Sequence, residues 1–278
     1  MRATAAAAPR VAVVTTAHGR HAHLRLQERS LAASERFADV RVVVAMDDPA
    51  VADHVAPGTQ VVDCPPGRDG LPLARARNLG ARTAFEAGAE VVVFLDVDCL
   101  VHPATLAAYA RAASDPATAG DLLTGPTGYL PAPGPGGYDL DALPEARFHE
   151  ARPRPAAGSV VRGVDHSLFW SLSFVTSVTT WNRIGGFDEQ YEGYGGEDTD
   201  YSLRAGRGGV DLTFVGDALT WHQWHPVSSP PVEHLDDLLR NGAVFAERWG
   251  WWPMKGWFEQ LASRGLVEPA GAGWRRTA

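Results

Sequence analysis

The chain is poor in cysteine: only Cys64 and Cys99 occur in 278 residues. One possible pair does not make a disulfide framework, because small secreted domains that depend on disulfides carry several pairs. A chain of this length can instead bury a substantial hydrophobic core. We therefore expect a protein of a reducing compartment, the cytoplasm.

Long apolar runs are also missing. No segment approaches the roughly 20 consecutive apolar residues of a transmembrane helix, and residues 1–10 lack the apolar core of a signal peptide. We expect a soluble protein. Four tryptophans in the segment 245–258 fit packing onto the domain, stacking on sugars or resting on a membrane surface, so peripheral membrane contact stays open.

The chain lacks an excess of positive charge, since its formal net charge is -8 and its pI is about 5.7. Binding to a nucleic-acid backbone needs a clustered basic surface, so we expect no nucleic-acid partner. An anionic ligand would need a metal ion or local arginines to hold it.

Apolar segments of strand length are present. Val91–Leu95 is apolar without alternation, which is typical of a central strand covered on both faces in a parallel sheet. The segments Val11–Thr16 and Val40–Ala45 flank a helical pattern in a βαβ rhythm. These patterns predict one α/β domain with a mostly parallel central sheet flanked by helices.

Two carboxylates, Asp96 and Asp98, follow the central strand. Ligands of open α/β sheets bind beyond the carboxyl ends of the strands. The Asp-x-Asp spacing points both side chains to one side, where a divalent cation would relieve their repulsion. The alternative is that both residues form a turn and cap a helix.

His222 follows another predicted strand, Val210–Gly216, and could be a further ligand of the same cation. Mixed carboxylate and imidazole ligands suit Mn²⁺. His225 is the reserve candidate. The alternative for both histidines is packing against Trp221 and Trp224.

Arginines and acids open two predicted helices. Arg75 and Arg77 lie in the first turns of a helix that begins at Leu73, where free N–H groups favour an anion. Glu197 and Asp198 follow a glycine pair at the start of another helix. A solvated face and a helix cap are the respective alternatives.

The ordered set of Ala76–Gly80, Phe94–Asp98, Ile184–Glu189, Gly195–Asp198 and His222 resembles a family 2 type glycosyltransferase of the GT-A fold. The second half resembles the C-terminal catalytic region of the galactosyltransferases. The likeness covers roughly residues 10 to 226 and implies a Rossmann-like sheet in one GT-A domain.

The resemblance divides this single domain, 1–278, into four parts. Residues of about 10–115 would form the nucleotide-sugar and metal-binding half. Residues of about 116–165 are rich in proline and glycine and would be a loop insertion, either a lid or a plain variable segment. The acceptor and catalytic half would be about 166–230, and a helical, tryptophan-rich tail would be about 231–278.

The resemblance also implies roles for the residues that match the family's motifs. Thr15, Ala17 and Asp47 would hold the nucleobase and ribose, and Arg77 would contact the nucleotide. Asp98 and His222 would bind Mn²⁺ or Mg²⁺. The remaining residues are Asp96, which would engage the ribose or the water shell of the metal, Glu197, which would position the acceptor, and Asp198, which would be the general base.

These roles imply a hexosyltransferase, galactosyltransferase-like, that inverts the anomeric carbon. Its expected donor is a UDP-sugar, although Val43–Asp47 departs from the usual Val-Asp-Asp-Gly-Ser type of turn and leaves the nucleobase open. The acceptor would be a hydroxyl of a glycan, a lipid or a small molecule. A nucleotidyltransferase would carry a basic, glycine-rich loop that Thr15–Gly19 does not supply, and a non-catalytic glycan-binding module is the third alternative.

Overall fold

The computed structural model describes residues 8–277. Within them the chain forms fourteen strands and seven α-helices. The strands are β1 Val11–Ala17, β2 Val40–Met46, β3 Gln60–Cys64, β4 Val91–Asp96, β5 Cys99–Val101, β6 Leu122–Thr124, β7 Thr127–Tyr129, β8 Arg147–Phe148, β9 Val160–Val161, β10 Ser173–Ser177, β11 Leu212–Val215, β12 Thr220–His222, β13 Val267–Ala270 and β14 Gly273–Arg276. The helices are α1 His21–Ala32, α2 Leu73–Glu86, α3 Thr105–Ser114, α4 Val178–Ile184, α5 Glu197–Arg207, α6 Leu235–Trp249 and α7 Lys255–Ser263.

The central sheet has eight strands in the order β3-β2-β1-β4-β10-β6-β11-β9. Strands β3, β2, β1 and β4 are parallel to one another, whereas β10 runs antiparallel to both β4 and β6. The predicted α/β fold with a mostly parallel sheet is confirmed. β4 lies between β1 and β10, and Val91–Leu95 is buried along its whole length, as its unbroken apolar pattern predicts.

A second sheet, in the order β5-β12-β7-β8, lies beside the carboxyl end of β4. In it His222 pairs with Cys99 on one side and with Tyr129 on the other. The chain leaves β4 at Asp96 and enters β5 at Cys99, so the Asp-x-Asp segment links the two sheets. The candidate functional site described below lies at this junction.

The region 116–165, expected as a loop insertion, also contributes strands. β6 is an internal strand of the central sheet, and β7 and β8 belong to the second sheet. These strands are only two or three residues long. Such short segments show no periodicity of their own, because the sheets around them determine their pairing.

Helix α2 packs closely on the sheet through small residues. Ala76, Gly80 and Ala84 face it and are buried. A Cβ at Gly80 would collide with Val14 and lie 3.1 Å from Cγ2 of Val44. From this position Arg77 of α2 reaches Asp96, the last residue of β4.

The C-terminal tail packs on the domain, as expected, through hydrogen bonds from Arg248 and Trp249 to Oδ1 of Asp200 in α5, and it also packs on itself. Helices α6 and α7 and the β13–β14 hairpin enclose a cluster that includes Phe258, Trp252 and Trp274. Trp251 is 45% exposed. Among residues 8–277, no helix combines the length and the apolar character needed to cross a lipid bilayer.

Candidate functional site

Three side chains that can bind a metal ion meet where the two sheets join. Nε2 of His222 lies 3.4 Å from one carboxylate oxygen of Asp98, and Nε2 of His225 lies 3.5 Å from the other. The ligand atoms of the three residues all lie within 4.8 Å of one another. A cation bonded to each at roughly 2.0–2.2 Å would hold such atoms about 3–3.5 Å apart. The three donors therefore fit a divalent metal, and both His222 and His225 are among them.

The backbone fixes this cluster. β12 pairs with β5 so that His222 lies opposite Cys99, directly after Asp98. The amide of Gln223 then donates to the carbonyl oxygen of Asp98 at 2.8 Å. Both histidines thus reach Asp98 because β12 ends beside the turn after β4.

The charges of the cluster suit a cation. Burial alone would raise the pKa of Asp98, but contacts with His225, His222 and Arg20 outweigh it and lower that pKa to about 2. Burial lowers the pKa of His222 despite the opposing effect of Asp98. At neutral pH the carboxylate is ionised and the imidazole is neutral, and these are the forms that bind metals.

Arg20 is a member of the cluster that sequence reasoning missed. Its Nη1 donates to Oδ2 of Asp98 at 2.9 Å, and its Nη2 lies 3.3 Å from Nδ1 of His225. Arg20 follows β1 with a positive φ of 50°. Its place after β1, at the same edge of the sheet as Asp98, was the one signal in the sequence.

Arg77 joins the Asp-x-Asp segment to α5. Its Nη2 donates to Oδ1 of Asp96 at 3.1 Å, and its Nη1 donates to Oε1 of Glu197 at 3.0 Å. Its guanidinium also lies over the Phe187 ring. Arg77 is only 3% exposed, and its guanidinium bridges the two carboxylates.

Asp96 is the less acidic member of the aspartate pair. Burial raises its pKa, Arg77 opposes this, and the negative charge of Asp98 adds to it, so the pKa of Asp96 rises to about 6. Asp96 and Asp98 therefore differ in pKa although they are two residues apart. Asp98 contacts cationic and imidazole groups, whereas Asp96 shares its arginine with Glu197.

Asp198 lies at the start of α5. Gly195 and Gly196 both have a φ of 94°, which allows the sharp turn that precedes the helix. The Asp198 carboxylate accepts a 2.6 Å hydrogen bond from the amide of Thr199. Burial and the adjacent Glu197 raise the pKa of Asp198 to about 7, against the opposing effect of Arg77. This carboxyl group can therefore exchange a proton near neutral pH.

Glu197 points away from solvent. It is 6% exposed, and its carboxylate is held by Arg77. Glu197, which was expected to position the acceptor, is thus paired with Arg77. Glu197 affects the site by raising the pKa of the adjacent Asp198.

The residues expected around the nucleobase lie on or directly after the paired strands β1 and β2, where Ala17 pairs with Ala45, two residues before Asp47. Thr15 is fully buried and donates to Oε1 of Gln27 at 2.8 Å, and Ala17 is also fully buried, so their side chains face α1 rather than the cleft. Asp47 is exposed. Its neighbour Asp48 instead accepts hydrogen bonds from the amide of Gly19 and from His21, which ties together the loops after β1 and β2.

The chain is similar to several known glycosyltransferases. Residues 165–222 match the family model described as the N-terminal domain of galactosyltransferase. Two proteins named validoxylamine A glucosyltransferase, from Streptomyces hygroscopicus subsp. jinggangensis (strain 5008) and subsp. limoneus, are each 31% identical over 195 residues. That match covers 64% of this chain and 45% and 42% of the relatives, so the chain spans less than half the length of these curated relatives.

Solved structures share the architecture. GalNAc-T7 with UDP, GalNAc and Mn²⁺ superposes with a TM-score of 0.61 at 18% identity, over 92% of this chain and 50% of that chain. The chain has the GT-A glycosyltransferase fold. S. aureus TarS 1–349 also superposes, with a TM-score of 0.57 at 14% identity, over 85% of this chain and 64% of that chain. The mannosyltransferase PcManGT from Pyrobaculum calidifontis, in complex with GDP-Man and Mn²⁺, superposes with a TM-score of 0.56 at 17% identity, over 93% of this chain and 69% of that chain.

The predicted resemblance to GT-A glycosyltransferases with a galactosyltransferase-like region is confirmed. The matched segment 165–222 begins before β10, contains Glu197 and Asp198, and ends at His222. In this GT-A fold it supplies the strand beside β4, the acidic start of α5 and one histidine of the candidate metal site. The other half of the site, Asp98 and Arg77, lies outside the matched segment.

Proposed function

We propose that the chain is a metal-dependent glycosyltransferase that moves a sugar from a nucleotide-diphosphate donor to an acceptor hydroxyl. The observation that carries the proposal is the meeting of Asp98, His222 and His225 at the carboxyl edge of the sheet. Arg77 links that edge, through Asp96, to Glu197, the residue before Asp198. The names of the relatives support sugar transfer, since two are glucosyltransferases.

We propose Mn²⁺ as the metal, with Mg²⁺ as the second choice. Asp98, His222 and His225 would hold it, and a carboxylate with two imidazoles suits Mn²⁺ better than Mg²⁺. When bound, such an ion neutralises the negative charge that develops on a departing diphosphate. Two of the structural neighbours contain Mn²⁺ together with UDP or GDP-Man.

We propose Asp198 as the general base and inversion at the anomeric carbon. In this reaction the acceptor oxygen bonds to the anomeric carbon, the bond from that carbon to the diphosphate oxygen breaks, and the hydroxyl proton passes to Asp198. A carboxylate whose pKa is about 7 holds a proton more tightly than an ordinary aspartate, so it is the stronger base.

Glu197 would keep the pKa of Asp198 raised, and Arg77 would hold Glu197 in place. Arg77 donates a hydrogen bond to the Glu197 carboxylate, and the adjacent Glu197 raises the pKa of Asp198 more than Arg77 lowers it. Arg77 also restrains Asp96, which leaves Asp98 as the aspartate that faces the metal position.

A donor screen tests the proposal. The protein is incubated with Mn²⁺, a panel of UDP- and GDP-sugars and a mixed panel of hydroxyl acceptors, and the nucleoside diphosphate that is released is measured. We expect acceptor-dependent release that chelation of the metal abolishes. Turnover of pyrophosphate would instead indicate a nucleotidyltransferase, and binding without turnover a glycan-binding module.

A further inference from the structure

Arg20 belongs to the candidate metal cluster, but the proposed function gives it no role. Its Nη1 donates to Oδ2 of Asp98 at 2.9 Å, and its Nη2 lies 3.3 Å from Nδ1 of His225. Asp98 and His225 are two of the three side chains that would hold the metal. The guanidinium therefore contacts groups that a metal ion would also bind.

The contact between Arg20 and His225 sets the position of the proton on the imidazole ring. Arginine stays protonated and has donors only, so Nδ1 accepts from it and the ring proton lies on Nε2. Nε2 is the nitrogen that lies 3.5 Å from Oδ2 of Asp98. In this form of the ring, Nε2 has no free lone pair for a metal ion.

Binding of a metal by His225 requires that Arg20 leave the ring. A metal bonded to Nε2 puts the proton on Nδ1, where the carbonyl oxygen of Pro226, 3.2 Å away, accepts it. A metal bonded to Nδ1 takes the lone pair that Arg20 uses. In both cases the contact between Arg20 and His225 is lost, so the arginine and the metal exclude each other at this ring.

Asp98 leads to the same conclusion. Nη1 of Arg20 and Nε2 of His225 both approach the same oxygen, Oδ2 of Asp98. A guanidinium and a divalent cation beside one carboxylate oxygen repel each other. A metal ion that binds Asp98 and His225 must therefore displace the guanidinium of Arg20.

The loop around Arg20 is held in place, whereas its side chain is open to solvent. The amide of Gly19 donates to Oδ2 of Asp48 at 2.7 Å, and Nε2 of His21 lies 2.8 Å from the same oxygen. The side chain of Arg20 is 36% exposed. Exposed side chains change rotamer rapidly, so Arg20 can turn away from Asp98 while its backbone stays fixed.

A displaced Arg20 is a cation beside the metal position that needs an anion. Arg77 is different, because it is 3% exposed and is held by Asp96 and Glu197. The guanidinium fork matches the oxygens of a phosphate group. The anion that the proposed function brings to this position is the diphosphate of the donor.

We propose that Arg20 is a diphosphate-binding residue that pairs with Asp98 until metal and donor bind, and then pairs with the donor diphosphate. The diphosphate role rests on the proposed function, whereas the competition between Arg20 and a metal ion does not. Arg20 thereby couples the two ligands. A metal ion alone must displace Arg20 from its partner, whereas a metal ion with a diphosphate gives Arg20 a new one.

Mn²⁺ alone is the probe for the first test. The full chain is titrated with Mn²⁺ without nucleotide, and binding is measured by calorimetry or Mn²⁺ paramagnetic resonance. We expect Arg20→Met to bind Mn²⁺ about ten-fold more tightly than the wild type, the lower end of what one hydrogen bond to a charged group contributes. Arg25→Met should bind as the wild type does, because Arg25 is an exposed arginine of α1 that contacts His54. Equal or weaker Mn²⁺ binding by Arg20→Met overturns the proposal.

UDP and GDP are the probes for the second test. With saturating Mn²⁺, we expect Arg20→Met to bind the preferred nucleotide about ten-fold more weakly than the wild type, since the guanidinium that pairs with the diphosphate is gone. The two effects have opposite signs, which loss of a merely structural residue would not produce. Unchanged nucleotide affinity in Arg20→Met overturns the pairing with the diphosphate.

Chemical modification of the wild type covers the case in which Arg20→Met does not fold. Phenylglyoxal reacts with accessible arginines, and mass spectrometry gives the rate at each one. We expect Mn²⁺ alone to speed the modification of Arg20, and Mn²⁺ with the nucleotide to slow it, while the rate at Arg25 stays constant. A rate at Arg20 that Mn²⁺ does not change contradicts the displacement.

The outcomes separate this proposal from the proposed function. If the two opposite effects are seen but no sugar nucleotide is turned over, Arg20 has the proposed role and sugar transfer is wrong. Equal Mn²⁺ affinity in the wild type and Arg20→Met counts against the role of Arg20 alone. Absence of Mn²⁺ binding in both proteins contradicts the metal site and overturns both proposals.

Discussion

Asp98 is the residue on which the candidate metal site depends. It is 7% exposed, it contacts two imidazoles and a guanidinium, and its low pKa keeps it ionised. No other carboxylate is part of this three-residue cluster among residues 8–277.

We predict that Asp98→Asn weakens Mn²⁺ binding by at least about 100-fold, since it removes the charged ligand; loss of a supporting partner alone typically costs 10–100-fold. Calorimetry or Mn²⁺ paramagnetic resonance would measure this. Asp47→Asn is the matched control, because Asp47 is an exposed aspartate after the neighbouring strand. Equal Mn²⁺ affinity in the wild type and Asp98→Asn would exclude this metal site.

The raised pKa of Asp198 predicts how activity depends on pH. A base works only when it is deprotonated, so the turnover number should fall about ten-fold for each pH unit below about 7. Asp198→Asn should lower turnover by a factor of about 10² to 10⁴ and leave donor binding unchanged. Steady-state kinetics from pH 5 to 9 would show both effects. A flat profile below pH 7 would remove Asp198 from the proton transfer.

The same carboxyl group makes the folded protein sensitive to pH. Its pKa is higher in the folded than in the unfolded chain, so between about pH 4 and 7 the folded state binds more protons and its stability falls as pH rises. Asp198→Asn should therefore melt at a higher temperature than the wild type at pH 8, by about 2–4 °C for each kcal/mol gained. At pH 4 the two proteins should melt alike. Calorimetric scans at both pH values would measure the difference.

At the scale of elements, helix α2 sets the distance between Arg77 and the strand ends. Gly80 lies against Val14 and Val44, and both valines are fully buried in neighbouring strands. Alanine would improve helix propensity by about 0.5–1 kcal/mol. Overpacking a well-packed core typically costs about 1–3 kcal/mol, and a valine in a strand has little room to move. The cost of overpacking should therefore exceed the gain in helix propensity.

We predict that Gly80→Ala lowers the free energy of unfolding by about 1–2 kcal/mol, as urea denaturation would measure. Gly120→Ala is the control, because an added Cβ there meets nothing within 4 Å. If Gly80→Ala were as stable as the control variant, the helix would not be in close contact with the sheet.

The elements that the sequence predicts correctly are those with a pattern of their own. β4 shows an unbroken apolar run, and α2 shows a stripe of small residues. β7 and β8 show neither, since short strands take their pairing from neighbours far along the chain. Arg20 was missed for the same reason. It lies in a loop, and only the folded chain brings its side chain to Asp98.

At the scale of the whole molecule, Arg77 connects the two halves of the chain. It reaches from α2 to Asp96 at the end of β4 and to Glu197, 120 residues further along. Glu197 is buried, so without Arg77 its carboxylate would be left in the protein interior without a counter-charge. Breaking one side of a buried ion pair typically costs about 3–5 kcal/mol.

We predict that Arg77→Met lowers the free energy of unfolding by about 3–5 kcal/mol at pH 8, compared with no more than about 0.5 kcal/mol for Arg82→Met, an exposed arginine of the same helix. The defect should shrink as pH falls towards 5, because a carboxyl group without its cation becomes neutral by binding a proton, and a neutral acid costs less to bury. Urea denaturation at both pH values separates this cause from lost packing, which pH would not relieve. A defect of equal size at pH 5 and pH 8 would mean that Arg77 acts through its packing on Phe187 and not as the charge that holds the two halves of the site together.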